Sequence, residues 1–162
     1  MAKVKLIRTC VDFEIPFHDN DMVGIVWHGN YFKYFELARD QLLARLNLSV
    51  TALVKEHGLG LPVIKSYSRY RHPLTFGDQV KIYAAISEYE NLLCFDFEVR
   101  DAATGKLMTE GYTKHAVYDL TNQELLFMVP DFIQARIKEV AAYDQQQDQA
   151  PEQTDQQPDP AH

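Results

Sequence analysis

The sequence predicts an α+β domain in which one antiparallel sheet curls around one long helix. Three observations carry that expectation. The stretch from Asn30 to about Asn47 repeats its apolar residues with the 3.6-residue period of a helix. After it comes a run of about four segments that alternate apolar and polar residues, joined by short turns in the manner of antiparallel neighbours. A helix with so broad an apolar stripe must be covered, and a single sheet covers it by wrapping.

The elements follow in order. Thr9 to Ile15 places Val11, Phe13 and Ile15 on one face and Cys10, Asp12 and Glu14 on the other, a half-buried strand that Pro16 ends. A turn-rich loop runs from Phe17 to Gly29. The long helix then sets Phe32, Phe35, Ala38, Leu42, Leu43 and Leu46 on its apolar stripe, with Tyr31, Tyr34 and Leu37 at the margins. Asn30 is placed to cap its N-terminus, and Glu36 and Arg39 are spaced to pair along it. A shorter helix from about Val50 to His57 ends at Gly58. Strands are expected at Val63–Arg71, Val80–Ser87, Leu93–Arg100 and Lys106–Tyr118, with turns at Phe76-Gly77-Asp78, Glu90-Asn91, Asp101–Gly105 and Thr121-Asn122. A short terminal helix starts after Pro130, burying Phe132, Ile133, Ile137 and Val140. Outer strands of such a sheet stay exposed at their edges, which favours pairing with a second copy.

Composition sets the limits. A chain of 162 residues is long enough for one domain with a substantial core. The domain is expected over 1–143. From 144 to 162 the chain is Gln, Asp and Pro with almost no apolar residues, too little to offset its ordering entropy, so this tail is expected to be disordered. The net charge is −7, but the tail holds Asp144, Asp148, Glu152, Asp155 and Asp159 and no Lys or Arg. The domain is therefore nearly neutral, which argues against nucleic acid as a partner. Cys10 and Cys94 form no disulfide framework and have no metal-ligand spacing, so they read as reduced small residues of a cytoplasmic protein. No window approaches the roughly 18 apolar residues of a membrane span, and the N-terminus has no apolar region of signal-peptide length.

Candidate chemistry gathers in His18-Asp19-Asn20-Asp21-Met22-Val23-Gly24-Ile25-Val26-Trp27-His28-Gly29-Asn30-Tyr31, where ionisable side chains meet a helix start. A helix start offers unpaired N–H groups and about half a positive charge. On composition alone, Asp19-Asn20-Asp21 reads as a turn with side-chain-to-backbone bonds. His18 reads as a wall residue. Gly24 and Gly29 suit a backbone that approaches a ligand closely. The cluster of His18, Asp19, Asp21 and His28 matches no familiar metal spacing, so no metal is expected.

The pattern Asp21-x-x-Gly24-x-Val26-x-His28-x-x-Tyr31-x-x-Tyr34-x-Glu36-x-Ala38-Arg39 resembles the hotdog-fold acyl-CoA thioesterases of the 4-hydroxybenzoyl-CoA thioesterase type. It is most similar to the branch that includes the Tol-Pal-associated thioesterase. The likeness covers about Val11 to Val140 and is strongest from Phe17 to Arg39; Tyr70-Arg71-His72-Pro73 through Gly77-Asp78 looks like the family's strand-turn-strand. It implies a hotdog fold, a homodimer or a dimer-of-dimers tetramer, and active sites at the subunit interface. It further implies hydrolysis of a thioester to a free acid and coenzyme A, or of acyl-carrier-protein thioesters, with Asp21 as the catalytic carboxylate. The backbone N–H near His28 would polarise the carbonyl and the His28 ring would position substrate, a structural hydrogen bond explaining that ring equally. Gly24 and Tyr31 are candidate substrate contacts, Tyr31 also reading as a core or interface aromatic. Coenzyme A needs cations at the pocket mouth, for which Arg69, Arg71 and His72 are candidates, although an ordinary solvated strand face explains them equally. No cofactor is expected, coenzyme A being part of the substrate. Asp21 acts either as general base or as nucleophile, since an ordinary aspartate is ionised at neutral pH but weakly basic. The rival readings are a hotdog hydratase or dehydratase, and a non-catalytic module that binds acyl thioesters.

Overall fold

The structure, a computed structural model, describes residues 6–149. Its first strand, β1 (Leu6–Glu14), alternates in burial as the sequence pattern requires, and Ile15 beyond it is fully buried. Helix α1 spans Tyr31–Arg45 and α2 spans Val50–His57. The second helix has the predicted ends: Ser49 accepts the Ala52 N–H at its start, and Gly58 closes it with φ +62°. The remaining strands are β2 (Leu59–Gly60), β3 (Val63–Tyr70), β4 (Gln79–Glu88), β5 (Leu93–Asp101), β6 (Leu107–His115), β7 (Val117–Asp119) and β8 (Glu124–Leu126). Helix α3, Asp131–Gln149, follows.

Five strands make one antiparallel sheet in the order β1-β4-β5-β6-β3, and α1 packs against β1, β4 and β5. This is the expected hotdog arrangement. Phe35, Ala38, Leu42, Leu43 and Leu46 of the predicted stripe are buried against the sheet. Each buried Leu contributes about 1.5–3 kcal/mol. Phe35 lies flat on Phe97 of β5, ring centroids 4.6 Å apart. Gly111 of β6 makes the approach possible, because a Cβ there would sit 2.4 Å from the Tyr67 carbonyl oxygen and 2.7 Å from the Phe35 ring.

Four expectations change. Leu37, read as added apolar surface at the margin of the helical stripe, is exposed, whereas Tyr31 and Tyr34 beside it are core residues, in line with their reading as core or interface aromatics. The strand expected from Lys106 to Tyr118 is two strands: the chain leaves the large sheet at Ala116, whose N–H donates to the Pro62 carbonyl, and β7 pairs with β2 and β8 in a separate small sheet. The terminal helix is not short. It continues through 144–149, into the stretch expected to be disordered, with Val140 and Ala141 buried and the Asp144 carboxylate paired to Arg45. The rest of that stretch, 150–162, lies outside the described residues, as do 1–5. Finally, Phe132, expected on the buried side of that helix, is exposed, its ring stacked on His57. Cys10 is exposed and Cys94 buried, and neither is in a disulfide.

Candidate active site

The loop between β1 and α1 is a small hairpin. Asn20 and Val26 form an antiparallel bridge, the Asp21 N–H donates to the Ile25 carbonyl at 2.8 Å, and the Gly24 N–H returns to the Asp21 carbonyl at 3.0 Å. Gly24 has φ +88°, a conformation that favours glycine. A Cβ there would meet nothing within 4 Å, so the turn itself, rather than crowding, requires this residue. Gly29 is different: a Cβ would sit 2.1 Å from the Trp27 indole, which lies across it. The close approach expected at Gly29 is therefore made by the chain's own tryptophan.

Asp21 stands exposed at the hairpin tip beside Met22 and Val23. One carboxylate oxygen accepts the Val23 N–H at 2.8 Å, an Asx turn. Asp19 is its opposite. It is only 3 % exposed, and its carboxylate accepts the Tyr34 hydroxyl at 2.7 Å and the Lys33 ammonium at 3.2 Å. The Asx turn thus occurs at Asp21, and Asp19, read as a turn residue, is instead a buried tie to α1. His18 is an exposed neighbour, 3.7 Å from the Asp19 carboxylate.

On the second arm, the Trp27 N–H donates to the Asp19 carbonyl at 2.9 Å. His28 to Asn30 form a single tight helical turn that runs into α1. Asn30 does not cap the helix with its side chain: its backbone is helical, and its amide donates to the Asp19 carbonyl at 2.9 Å. His28 therefore opens the helical stack, where N–H groups have no acceptor one turn back. The Tyr70 hydroxyl donates to the His28 carbonyl at 2.9 Å, and the two rings meet edge to face at 6.4 Å.

Tyr31 is buried, its ring 4.9 Å from Tyr70 and 5.7 Å from Tyr34. Burial raises its pKa, against the opposing influence of the Leu74 N–H and the Thr109 hydroxyl, so it stays a neutral phenol. Tyr34 is pushed up further, by burial and then by the carboxylate of Asp19 that it bonds.

The first turn of α1 touches Tyr70 at one end of β3, and Arg39 further along α1 lies near Val63 at the other. Helix and strand thus run side by side in opposite directions. Between them is a cavity of about 120 Å³, walled by Phe32, Phe35, Phe97 and Val63 and edged by Glu36, Arg39, Ser66 and Thr113. Glu36 and Arg39 form the expected pair at 3.8 Å, and the Arg39 side chain, 12 % exposed, also holds Asp40 at 3.0 Å. Behind Thr113 lies His115, fully buried, with its Nδ1 3.0 Å from the Leu61 carbonyl and its Nε2 2.9 Å from the Thr113 hydroxyl. Nδ1–H donates to the carbonyl and Nε2 accepts from Thr113, the one tautomer that satisfies both contacts. Burial lowers the His115 pKa and keeps the ring neutral.

The three candidate cationic residues separate. Arg71 is paired with Glu110 at 2.7 Å, and its N–H and that of His72 both reach the Met108 carbonyl. Gly111, whose Cβ would point at Phe35, pairs with Ser68, so Ser68 and Tyr70 face α1 and the alternate residue Arg69 faces away from it. Tyr70 and His115 are polar groups of this region that sequence reasoning did not single out, and Asp19 was legible only as a turn residue. Apart from Thr113 beside His115, their partners are distant in the chain. Among the described residues, no group of three or more His, Cys, Asp or Glu is placed to hold a metal ion.

The thioesterase-like superfamily matches residues 15–137, more than half of the chain. A putative acyl-CoA thioesterase of Bacillus subtilis is 25 % identical over 67 % of this chain and 78 % of its own length. A putative esterase of Aquifex aeolicus is 31 % identical over 46 % of this chain, and the match spans 57 % of that relative. Among solved structures, a 1,4-dihydroxy-2-naphthoyl-CoA thioesterase from Synechocystis is similar with a TM-score of 0.73 at 19 % identity, covering 82 % of this chain and 97 % of its own.

Proposed function

Because the chain belongs to the thioesterase-like superfamily, we propose that it hydrolyses acyl-CoA thioesters to a free acid and coenzyme A, with Asp21 as the catalytic carboxylate. The observation that carries this reading is the hairpin. Its Asn20–Val26 bridge ties the arm bearing Asp21 to the arm that opens the helix at His28. One arm supplies a carboxylate open to a ligand, the other an unpaired N–H at the positive end of a helix.

The chemistry uses both. The thioester carbonyl oxygen accepts the His28 N–H, and such a donor contributes about 2.7–4 kcal/mol to an oxyanion transition state. Asp21 takes a proton from water, the water oxygen bonds to the carbonyl carbon, and the carbonyl electron pair moves onto the oxygen. When the pair returns, the C–S bond breaks and the thiolate of coenzyme A leaves with the proton. In the second route Asp21 itself attacks the carbonyl carbon, the C–S bond breaks and the thiolate of coenzyme A leaves behind an Asp21–acyl anhydride. Water then opens it to the free acid and the Asp21 carboxylate, and its proton goes to the thiolate. A single turnover in ¹⁸O-water tests for it, because label in the Asp21 side chain arises only when water opens an anhydride at the Asp21 carbonyl carbon.

The remaining roles follow. The His28 ring, held against Tyr70, positions the thioester, Tyr31 and the turn at Gly24 shape the wall, and the groove along α1 takes the acyl group. Arg71 and His72 are the phosphate contacts at the mouth, Arg71 by exchanging Glu110 for a phosphate, with Arg69 reaching round from the far face. No cofactor is required beyond the coenzyme A of the substrate. A second copy pairs along β3, an edge strand whose Val63, Ile64, Tyr67 and Tyr70 are exposed. The setting is cytoplasmic, which two cysteines outside any disulfide support. Among the described residues no helix is long and apolar enough to cross a membrane.

Thiol release from short aliphatic, long aliphatic and aromatic acyl-CoAs, compared for wild type and Asp21→Asn, tests the reading. Release by wild type and its loss in the variant support it. Hydration of an enoyl-CoA without thiol release would replace it with a hydratase, and binding without turnover with a non-catalytic module.

A further inference from the structure

We propose that Asp19 and Asn30 are a positioning pair that sets the Asp21 carboxylate against the His28 N–H. The inference rests on the thioesterase reading above and deepens it. Asp19 is 3 % exposed and its carboxylate is engaged by Tyr34 and Lys33, so it is closed to substrate. What it joins is specific. Its side chain is tied to α1, and its carbonyl accepts both the Trp27 N–H and the Asn30 amide at 2.9 Å. Three pieces therefore meet at one residue: the arm carrying Asp21 two residues on, the arm carrying His28 one residue past Trp27, and the helix start.

Without the Asp19 carboxylate and the Asn30 amide the arms keep the Trp27–Asp19 backbone bond, the Asn20–Val26 bridge and the Asp21–Ile25 bond, which join them to each other but not to α1. The helix itself would not shift, because Phe35, Leu42 and Leu43 bury it in the sheet independently. Loss of the junction therefore changes the angle between two reacting groups while the domain stays folded. Misplacement of about 1 Å costs on the order of 10²-fold in rate. Burial and the Asp19 bond keep Tyr34 a neutral donor, so the tie persists across the working pH range.

The test compares Asp19→Ala, Asp19→Asn and Asn30→Ala, each in the wild-type and Asp21→Asn backgrounds, by kcat, KM and thermal melting on the acyl-CoA that wild type turns over fastest. Asp19→Ala should lower kcat about 10²-fold and Asn30→Ala about tenfold, with KM within about twofold, because the lost interaction serves the transition state. Asp19→Asn should recover most of the rate, since its amide oxygen still accepts the Tyr34 hydroxyl. In the Asp21→Asn background neither alanine variant should lower the residual rate further, as groups acting as one unit are not additive. Wild-type kcat in a folded alanine variant would overturn the proposal, as would a full further loss without Asp21, or a rate loss that merely tracks the fall in melting temperature. If Asp19→Ala does not fold, the partly buried Asn30→Ala decides alone. If wild type releases no thiol at all, the thioesterase reading fails first, and the positioning role falls with it.

Discussion

Two regions grip α1, and they do so by opposite means. Under the middle of the helix, Phe35 lies flat on Phe97 over a strand thinned by Gly111, and the packing is mainly apolar, with the Thr9 hydroxyl donating to the Ala38 carbonyl at 3.3 Å. At the N-terminal end the loop meets the helix through Asp19, Lys33, Tyr34, Asn30, His28 and Tyr70, with hydrogen bonds at nearly every contact. Apolar packing is strong but tolerates small slides, whereas hydrogen bonds lose most of their value when distance or angle drifts. The first region therefore holds the domain together, and under the proposed mechanism the second fixes where Asp21 and the His28 N–H stand.

If that division is right, substitutions should sort cleanly into those that change stability and those that change rate. Phe35→Ala should give the largest effect, about 3–5 kcal/mol of lost stability in denaturant unfolding. Gly111→Ala should cost about 1–3 kcal/mol through overpacking against the Tyr67 backbone and the Phe35 ring. Below the unfolding transition both should keep kcat near wild type, and a selective kcat loss would show that the two regions are one.

Asp21→Asn should do the reverse. Its rate should fall at least about 10²-fold, the low end for a positioned acid-base group. Its unfolding midpoint should not move, because Asp21 is exposed and its one bond to the Val23 N–H survives in asparagine. An unchanged rate would remove Asp21 from the mechanism.

Tyr34→Phe probes the seam between the regions, since the ring packs in the core while the hydroxyl holds Asp19. Leaving one oxygen of a buried carboxylate without its donor should cost about 1–3 kcal/mol. A loss of kcat should accompany it, making this the substitution that moves both readouts. An effect on stability alone would confine Tyr34 to the core.

The same division explains what the sequence makes legible. Apolar periodicity locates α1, the large strands and the hotdog wrap because burial repeats along each element. The ends of α2 are readable because Ser49 and Gly58 act within one turn of themselves. The motif from Asp21 to Arg39 marks the site loop, but not how Asp19 is used. Its partners Asn30, Lys33 and Tyr34 lie up to 15 residues away, and a buried carboxylate reads like any turn aspartate until the loop closes on the helix. The break at Ala116 is hidden because no Gly, Pro or turn residue marks it: His115, Ala116 and Val117 are all buried as the chain changes sheets. Strands of two or three residues, as in β2, β7 and β8, are too short to show a period. The length of α3 was misjudged for another reason: residues 144–149 extend a helix already anchored at Val140 and Ala141, so they need little apolar surface of their own.

His115 gives the smallest expected effect and tests whether the groove floor belongs with the apolar region or the polar one. It is fully buried, neutral, and bonded to Thr113 and the Leu61 carbonyl, with Phe95 edge-on to its ring at 5.4 Å. Burial holds its folded pKa below the ordinary histidine value of about 6.5. Between the two values the unfolded chain binds the extra proton and the folded chain does not, so stability rises with pH across that window and is complete above about 6.5. Unfolding in urea from pH 5 to 7 should show wild type losing stability as the pH falls, and His115→Gln losing less. If the groove floor is part of the packed region, that difference is confined to stability, and the ratio of the two kcat values stays constant over the same pH range. A ratio that changes with pH would mean that the protonation of His115 reaches the site loop, and the line between the two regions would have to be drawn elsewhere.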